Sequence, residues 1–332
     1  DEAAPFGVVG SILPVTHSVP TMAGNIVNIV AAGNSVVFNP HPGGAACAAV
    51  AVNEFNEAIK AELGITNLVC TVEKPSLDSF NELCASPEVD LLCITGGPAV
   101  VDAAMKTGKR AICAGPGNPP VVIDDCQALD FDKVAGDIIM GGGFDNNLLC
   151  IGEKQVFAVG DAYQKSLDAF QRQGALLLNP SQVEAIKKEV FTFRPGDGGC
   201  SHPVLNREFV GASPAKLAAI AGLTIDPKVE MLIAETAADD LLVIEEQMMP
   251  LLPIVRSNTF AEAVKSAKDS EHGYKHSAMV HTMNVANMTG LGMGGEGYIS
   301  FSIATTTGEG ITTPRTFTRF RRCTLVDQLN II

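Results

Sequence analysis

The residues best suited to chemistry lie in the segment GGGFDNNLLCIGEK, residues 141–154. Its glycines let the backbone approach a ligand closely, and the Asp and Asn residues tolerate unusual turn conformations that point a neighbouring side chain into a cleft. Cys150 follows this turn, immediately before a β-rich run. A thiol held there can be both a nucleophile and a member of an oxyanion hole. The alternative is that Cys150 is a small buried hydrophobe.

The other cysteines give no sign of a metal site or of a disulfide framework. Nine cysteines is an odd number, and neither a CxxC pair nor a His/Cys spacing of the zinc type occurs in the sequence. We therefore predict no metal and reduced thiols in a reducing compartment. The cysteines stand at positions 47, 70, 84, 93, 113, 126, 150, 200 and 323.

The first half of the chain alternates short β-rich runs with longer Ala-rich runs of helical period. From Phe6 to Ile123 the runs are GVVGSIL, VPTMAGNIVNIVAAG, SVVFNP, GGAACAAVAVNEFNEAIKAEL, NLVCTVE, SLDSFNELCAS, VDLLCIT, PAVVDAAMKTG and RAICAG. This alternation predicts a parallel sheet covered by helices on both faces, which is a doubly wound α/β domain.

Beyond Val121 the pattern restarts with the helical run DFDKVAGDIIMGGG and the strand EKQVFAVG. A second α/β domain follows from this order. The run Gly115–Pro120, GPGNPP, is predicted to be a linker that is neither helix nor regular strand. Further helices are predicted at 161–173, 180–190, 213–222 and 259–270, and further strands near 229–234, 251–256 and 277–282.

Charge and hydropathy exclude several classes of partner. The net charge of −14 repels a phosphate backbone, and no Lys/Arg cluster occurs before RFRRC at 319–323. The sequence contains no apolar stretch of membrane-spanning length, and its first residues do not resemble a signal peptide. With 332 residues, of which 46% are hydrophobic, the chain is expected to be a cytoplasmic protein of two domains.

The cysteine segment resembles that of the coenzyme-A-acylating aldehyde dehydrogenases, especially the propionaldehyde and acetaldehyde enzymes of propanediol and ethanolamine utilisation. These enzymes belong to the aldehyde dehydrogenase superfamily. The similarity extends from PFGVVGSILPVTHSVPT near the N-terminus through IEEQMMP at 244–250 to GGEGYISFSI and RTFTRFRRC. It thus covers nearly the whole sequence.

The resemblance implies roles for individual residues. Cys150 matches the nucleophile that forms a thiohemiacetal and is then left as a thioester. Thr16, in PVTHSVP, stands where other members place an oxyanion-hole asparagine, and its hydroxyl can donate one hydrogen bond there. Glu246, in EEQMMP, matches the carboxylate that holds the nicotinamide ribose. On its own, Glu246 would be taken for an exposed glutamate.

The expected cofactor contacts lie in the first half of the chain. Asn39 and Pro40, in VVFNP, match a strand end that contacts the adenosine ribose, where many relatives carry lysine. The segment Thr95, Gly96 and Gly97 resembles the turn that passes under the dinucleotide, although GxGxxG is absent. Gly115, at the start of the linker, is counted with the cofactor-binding residues.

The departure that bears most on the reaction lies at 111–120, AICAGPGNPP. Hydrolytic members of the superfamily have a glutamate there that activates water, whereas this sequence has Cys113 and Ala114. Without a general base, attack of water on the thioester should be slow, while a bound thiol can still attack. The chain is therefore interpreted as transferring its acyl group to coenzyme A.

The resemblance implies an aldehyde dehydrogenase fold with a Rossmann-like NAD-binding domain at 6–118, an α/β catalytic domain at 119–310 and an oligomerisation tail at 311–332. The expected reaction converts a short aliphatic aldehyde, propanal or acetaldehyde, with NAD and coenzyme A to acyl-CoA and NADH. A homo-oligomer is expected. A location inside a bacterial microcompartment, and contact with its shell through a segment preceding Asp1, are also implied.

Two alternatives remain open at this stage. The chain could be another acylating member, such as a domain of a bifunctional aldehyde/alcohol dehydrogenase or a succinate-semialdehyde type. It could also be a non-catalytic relative that acts as a scaffold, although an intact Cys150 argues against this. The Gly-rich segment 290–297, GLGMGGEG, is interpreted as a mobile loop, with a loop that lines a site as the alternative.

Overall fold

The two largest sheets among the described residues are built from parallel strands. The computed structural model describes residues 2–195, 201–274, 276–292, 301–303 and 314–321. The chain divides into two units. The first comprises Asp1–Pro116 together with Gly310–Ile332, and the second comprises Gly117–Glu309.

The first unit follows the predicted alternation of strand and helix. Its elements before the boundary are β1 (Glu2–Pro5), β2 (Val8–Leu13), α1 (Ser18–Ala31), β3 (Ser35–Pro40), α2 (Ala45–Leu63), β4 (Val69–Thr71), α3 (Leu77–Ala85), β5 (Leu91–Thr95), α4 (Pro98–Met105) and β6 (Ala111–Ala114).

Among the described residues, five strands of the first unit form a parallel sheet in the order β4-β3-β2-β5-β6. Alternate side chains of β5 enter different cores. Leu91 and Cys93 pack with α1 and α2, whereas Leu92 and Ile94 pack with α3 and α4. Both faces of the sheet are thus buried, which is why its strands are apolar runs without polar alternation.

The second unit repeats the α/β plan. Its elements are β7 (Pro120–Ile123), α5 (Phe131–Gly143), β8 (Gln155–Val159), α6 (Ala162–Arg172), β9 (Leu176–Leu178), α7 (Pro180–Val190), β10 (Phe191–Pro195), β11 (Ser201–Leu205), α8 (Pro214–Ile220), β12 (Leu232–Thr236), α9 (Leu241–Ile244), β13 (Leu251–Ser257), α10 (Phe260–Ser270), β14 (Ala278–His281), α11 (Val285–Gly292) and β15 (Phe301–Ile303). The strand β16 (Thr318–Arg321) returns to the first unit, where it pairs with β1.

The central sheet of the second unit is also parallel, in the order β15-β14-β7-β8-β13-β12-β9 among the described strands. Val156 and Ala158 of β8 enter a core with α5 and α6. Phe157 and Val159 enter a separate core with α10. Two packed faces again surround a buried sheet, and the predicted α/β fold class is confirmed.

The second unit begins with a strand, so the prediction that it starts with a helix was wrong. Pro120 was assigned to a linker that excludes strand, yet it is the first residue of β7, where it pairs with Gln155. Proline is tolerated at the first position of a strand because the ladder bonds of the following residues are intact. Val121, Val122 and Ile123 are fully buried in the middle of the sheet.

Several sequence predictions fall partly outside the described residues. Of the Gly-rich segment 290–297, only 290–292 are described, at the end of α11. Of the predicted oligomerisation tail 311–332, only 314–321 are described. The antiparallel hairpin of β10 and β11 was not predicted. Within the described part of the chain, no helix is both long enough and apolar enough to cross a membrane.

A single buried amide connects three segments of the first unit. Asn34, which is 2% exposed, accepts hydrogen bonds through Oδ1 from the N–H groups of Phe6 at 2.7 Å and Gly7 at 3.0 Å. Its Nδ2 donates to the carbonyl of Ile29 at 3.3 Å and to that of Phe317 at 2.9 Å. Asn34 therefore joins the strand entry before β2, the end of α1 and the segment before β16.

We expect Asn34→Ala to lower the free energy of unfolding by about 3 kcal/mol, because buried backbone groups lose their partners. Urea denaturation followed by circular dichroism measures this change. Asn53→Ala, at an exposed position of α2, is the matched control and should be neutral or slightly stabilising, since alanine has the higher helix propensity. Equal losses of stability in the two variants would contradict the role of Asn34.

Candidate active site

The predicted catalytic residue Thr16 and the predicted cofactor-binding residues of the first unit lie at the carboxyl edge of its sheet. Thr16 follows β2, Asn39 and Pro40 end β3, Thr95 ends β5, and Gly115 follows β6. These strands are parallel neighbours, so their carboxyl ends meet at one edge. The chain order reverses between β2 and β5, and at such a switch point open α/β sheets bind their ligands.

The turn between β5 and α4 is the most accessible part of this edge. Gly97 is exposed, and a Cβ atom added to it would meet no atom within 4 Å. A ligand can thus approach the backbone of this turn closely. Asn39 is buried, and its Oδ1 accepts a hydrogen bond from Ser79 Oγ at 2.6 Å.

In the second unit the candidate residues gather at the opposite, amino edge of the sheet. Gly117 precedes β7, Cys150 precedes β8, Glu246 precedes β13 and His276 precedes β14. The order β14-β7-β8-β13 makes these four strands neighbours. Parallel pairing therefore assembles residues that are more than a hundred positions apart in sequence.

A left-handed turn holds the cysteine segment. Asp145, Asn146 and Asn147 have φ values of 49°, 53° and 60°. Left-handed backbone costs about 1–2 kcal/mol per residue for most side chains, and less for Asp and Asn. Asn146 Nδ2 donates to the carbonyl of Gly211 at 3.0 Å, and Asn147 Nδ2 donates to that of Glu153 at 2.9 Å. The predicted turn thus exists and is anchored through its own side chains.

The Cys150 thiol is half-buried, and one negatively charged and one positively charged side chain act on it. Burial and, to a smaller extent, the Glu246 carboxylate raise the pKa of Cys150 to about 11, although Lys154 and the backbone N–H of Cys150 lower it. The thiol is therefore protonated at neutral pH. Lys154 is fully buried, and its Nζ donates to Asn147 O at 2.6 Å and to Asn147 Oδ1 at 2.8 Å.

Two buried glutamates near Cys150 each have a carboxyl oxygen without a hydrogen-bond partner among the described residues. Burial raises the pKa of Glu246 to about 7, against the opposing charge of Lys154, and Glu246 Oε1 has no hydrogen-bond partner among the described residues. Burial likewise raises the pKa of Glu153 to about 8, and Glu153 Oε2 also has no partner in the described chain. A buried carboxylate oxygen without a partner is rare in folded proteins and is what a bound hydroxyl group would satisfy.

His276 was missed by the sequence analysis. A Cβ atom added to Gly117 would lie 2.6 Å from the carbonyl oxygen of Cys150 and 3.2 Å from Cγ of His276. The histidine ring and the cysteine backbone therefore lie against the same glycine. Burial lowers the pKa of His276, and the positive charge of Lys154 lowers it further, so the imidazole is neutral at pH 7. Its position before a β-rich run was the only signal in the sequence.

The second unit places Cys150 and Glu246 before the neighbouring strands β8 and β13, and the Glu246 carboxylate raises the pKa of Cys150. Thr16, Asn39, Pro40, Thr95, Gly96, Gly97 and Gly115 belong to the first unit. The roles assigned to all of these residues stay predictions. Among the described residues, no cluster of His, Cys, Asp or Glu could hold a metal ion, and the described cysteines are free thiols.

Comparison with known proteins gives one family. A model described as the aldehyde dehydrogenase family matches residues 2–178. Propanal dehydrogenase (CoA-propanoylating) of Citrobacter freundii is 37% identical over 350 residues, which cover 99% of this chain and 74% of that protein.

Solved structures agree with this relationship. A propionaldehyde dehydrogenase from the fucose utilisation bacterial microcompartment of Clostridium phytofermentans superposes with a TM-score of 0.88 at 36% identity, over 100% of this chain and 78% of that one. The propionaldehyde dehydrogenase of Rhodopseudomonas palustris, with bound CoA and an acylated cysteine, has a TM-score of 0.87 at 34% identity, over 98% and 76% of the two chains.

The raised pKa of Glu153 predicts a pH-dependent contribution to stability. This carboxyl ionises near its ordinary value of 4.5 in the unfolded chain but near 8 in the folded one. Between these values only the folded state binds the proton, so stability falls as pH rises to about 8 and then no longer changes.

Glu153→Gln removes this titration. Its free energy of unfolding, relative to the parent protein, should increase by about 1 kcal/mol per pH unit from pH 5 to pH 8 and stay constant above. Urea denaturation at each pH measures the difference. Glu57→Gln, at an exposed position of α2, is the control for loss of one carboxylate. A difference independent of pH would mean that Glu153 is ionised in the folded protein.

Proposed function

The chain belongs to the aldehyde dehydrogenase family, and we propose that it is a CoA-acylating aldehyde dehydrogenase with Cys150 as its nucleophile. The observation that carries this proposal is the position of Cys150 three residues after an anchored left-handed turn, with its carbonyl oxygen against Gly117. The charges of Glu246 and Lys154 both act on its thiol. The overall reaction is aldehyde + CoA + NAD⁺ → acyl-CoA + NADH + H⁺.

The first step is addition of the Cys150 sulfur to the aldehyde carbon. Only the thiolate is a good nucleophile, whereas the resting thiol is protonated. A neighbouring base must therefore accept the proton as the C–S bond forms. We assign this role to His276, because its neutral imidazole lies against the same glycine as the Cys150 backbone. The product is a thiohemiacetal on Cys150.

The residues present fit a dinucleotide. The open backbone around Gly97 suits a pyrophosphate, and the unpartnered Glu246 Oε1 suits a ribose hydroxyl. When bound, NAD⁺ supplies the acceptor for the hydride that leaves the thiohemiacetal. Cys150 is then left as a thioester.

Release of the acyl group is assigned to the thiol of coenzyme A. The strand β6 ends in Cys113 and Ala114, neither of which is an acid that could activate water. The CoA thiolate attacks the thioester carbonyl, a new C–S bond forms, and Cys150 leaves as thiolate and recovers its proton. No step consumes water.

A hydrolytic dehydrogenase is the second candidate, and one observation favours it. The pKa of Glu246, raised by burial to about 7, is suited to a general base that activates water. Another acylating enzyme, of the bifunctional or succinate-semialdehyde type, would differ in the aldehyde it takes. A non-catalytic scaffold is disfavoured by the intact environment of Cys150.

The proposed substrate is propanal, with acetaldehyde as the shorter alternative. The Citrobacter relative is a propanal dehydrogenase, and the Rhodopseudomonas structure holds CoA with an acylated cysteine. We also propose a homo-oligomer and a location inside a bacterial microcompartment, as for the Clostridium protein. Contact with a microcompartment shell belongs to the same proposal.

Formation of NADH should depend on CoA. With propanal and NAD⁺ but no CoA, we expect at most one equivalent of NADH per chain, because the thioester on Cys150 is not released. Stopped-flow absorbance with and without CoA measures this, with acetaldehyde run in parallel. Cys150→Ala should lower NADH formation by at least about 10⁴-fold while NAD affinity changes only a few-fold. Sustained turnover to free acid without CoA would instead support the hydrolytic candidate.

NAD and CoA should use one adenosine and pyrophosphate site in turn. The first unit offers one such edge in its described part, around Thr95–Gly97 and Asn39. If NADH leaves before CoA enters, double-reciprocal plots of rate against CoA at several NAD concentrations are parallel, as in a ping-pong mechanism. NAD at high concentration should compete with CoA. Intersecting lines would mean that both ligands are bound at once.

A further inference from the structure

Lys154 is a buried cation that the proposed reaction does not use directly. Its side chain is 0% exposed. Lysine is rarely buried without a function or a partner, because its ammonium group loses hydration. Here the two hydrogen bonds of Nζ both end on Asn147, at its carbonyl oxygen and at Oδ1. The ammonium thus binds the last residue of the left-handed turn, three positions before Cys150.

The backbone of Lys154 connects two further segments of the site. Its N–H donates to the carbonyl of Pro119 at 3.0 Å. Its carbonyl accepts a hydrogen bond at 2.8 Å from Nε2 of Gln247, the residue after Glu246. Lys154 therefore joins the segments before β7 and β13 to the cysteine turn before β8.

The charge of Lys154 faces each titratable group of this site. Glu246, Cys150 and Glu153 stabilise its protonated form, although burial lowers the pKa of Lys154 to about 8. In return, Lys154 lowers the pKa of Cys150 and of His276. The positive charge of Lys154 thus opposes the effect of the Glu246 carboxylate, which disfavours negative charge on the Cys150 sulfur.

We propose that Lys154 is a positioning residue for the reaction at Cys150. Its ammonium holds the left-handed turn through Asn147, and its charge compensates the negative charge that forms on the Cys150 side chain. This inference rests on the proposed role of Cys150 as the nucleophile. It assigns to Lys154 both a geometric effect, through two hydrogen bonds, and an electrostatic effect, through its charge.

Alkylation of Cys150 by iodoacetamide tests the electrostatic effect without requiring turnover. The rate is measured on the full chain as a function of pH by peptide mass spectrometry, which separates Cys150 from the other thiols. Lys154→Met removes charge and donors, whereas Lys154→Gln removes the charge and keeps an amide donor. The comparison is made at pH 7, where Lys154, with a pKa of about 8, still carries its charge. In both variants we expect the alkylation rate at pH 7 to fall about tenfold, because less of the Cys150 thiol is ionised.

Two further variants fix the sign of the effect. Glu246→Gln should raise the rate of Cys150 alkylation, opposite to the Lys154 variants, because it removes the repelling carboxylate. Lys265→Met, at an exposed position of α10, removes one positive charge from the surface and should leave the profile unchanged. Circular dichroism shows whether each variant is folded.

The geometric effect is read from Asn147→Ala, which keeps the charge of Lys154. We expect it to slow the first turnover of NADH formation about tenfold, with a smaller shift of the alkylation profile than in Lys154→Gln. A folded Lys154→Gln protein with an unchanged alkylation profile would overturn the proposal, even if Lys154→Met failed to fold. Failure of the proposed function would appear separately, as turnover that survives Cys150→Ala.

Discussion

The parallel direction of the strands is the constraint on which both candidate sites depend. In a parallel sheet all strands begin at one edge and end at the other, so the segments before neighbouring strands are brought together irrespective of their separation in sequence. In the second unit this places the segments before β14, β7, β8 and β13 side by side. In the first unit the same constraint places the ends of β3, β2, β5 and β6 together. The side chains specify the chemistry, but strand direction determines which of them can meet.

Much of the fold could be predicted because burial on both faces of a sheet leaves a strong apolar pattern. The strands and helices from β2 to β6 coincide with the predicted runs, whereas β1 and β16 were not predicted. In the second unit α5, α6, α7, α10 and β13 agree with the prediction to within a few residues. The strand β7 was missed because Pro120 was taken to exclude strand, whereas proline removes only its own ladder donor. The hairpin of β10 and β11 was missed although β10 alternates apolar and polar residues in FTFR, because β11, SHPVL, contains a proline and shows no such alternation.

The site was only partly predictable. The run of Asp and Asn before Cys150 indicated an unusual turn conformation, and these residues do adopt positive φ. The partners of the turn were not visible in the sequence. Lys154 appeared as an ordinary charged residue, His276 as one histidine of a polar segment, and Gly117 as part of a linker. Their importance arises from burial and from contacts across neighbouring strands, which depend on strand order and not on local spacing. The roles of the first-unit residues stay predictions for the same reason.

The first unit is assembled from two stretches of sequence separated by the whole second unit. During translation, Asn34 and β1 leave the ribosome long before Phe317 and β16, with which they pair. At about 5–20 residues per second, the intervening residues take tens of seconds to be made. Throughout this interval the nascent first unit has an unpaired edge at β1, and Asn34 lacks the one partner that Phe317 later supplies. The second unit can complete its fold first, so the inner unit is expected to fold before the outer one.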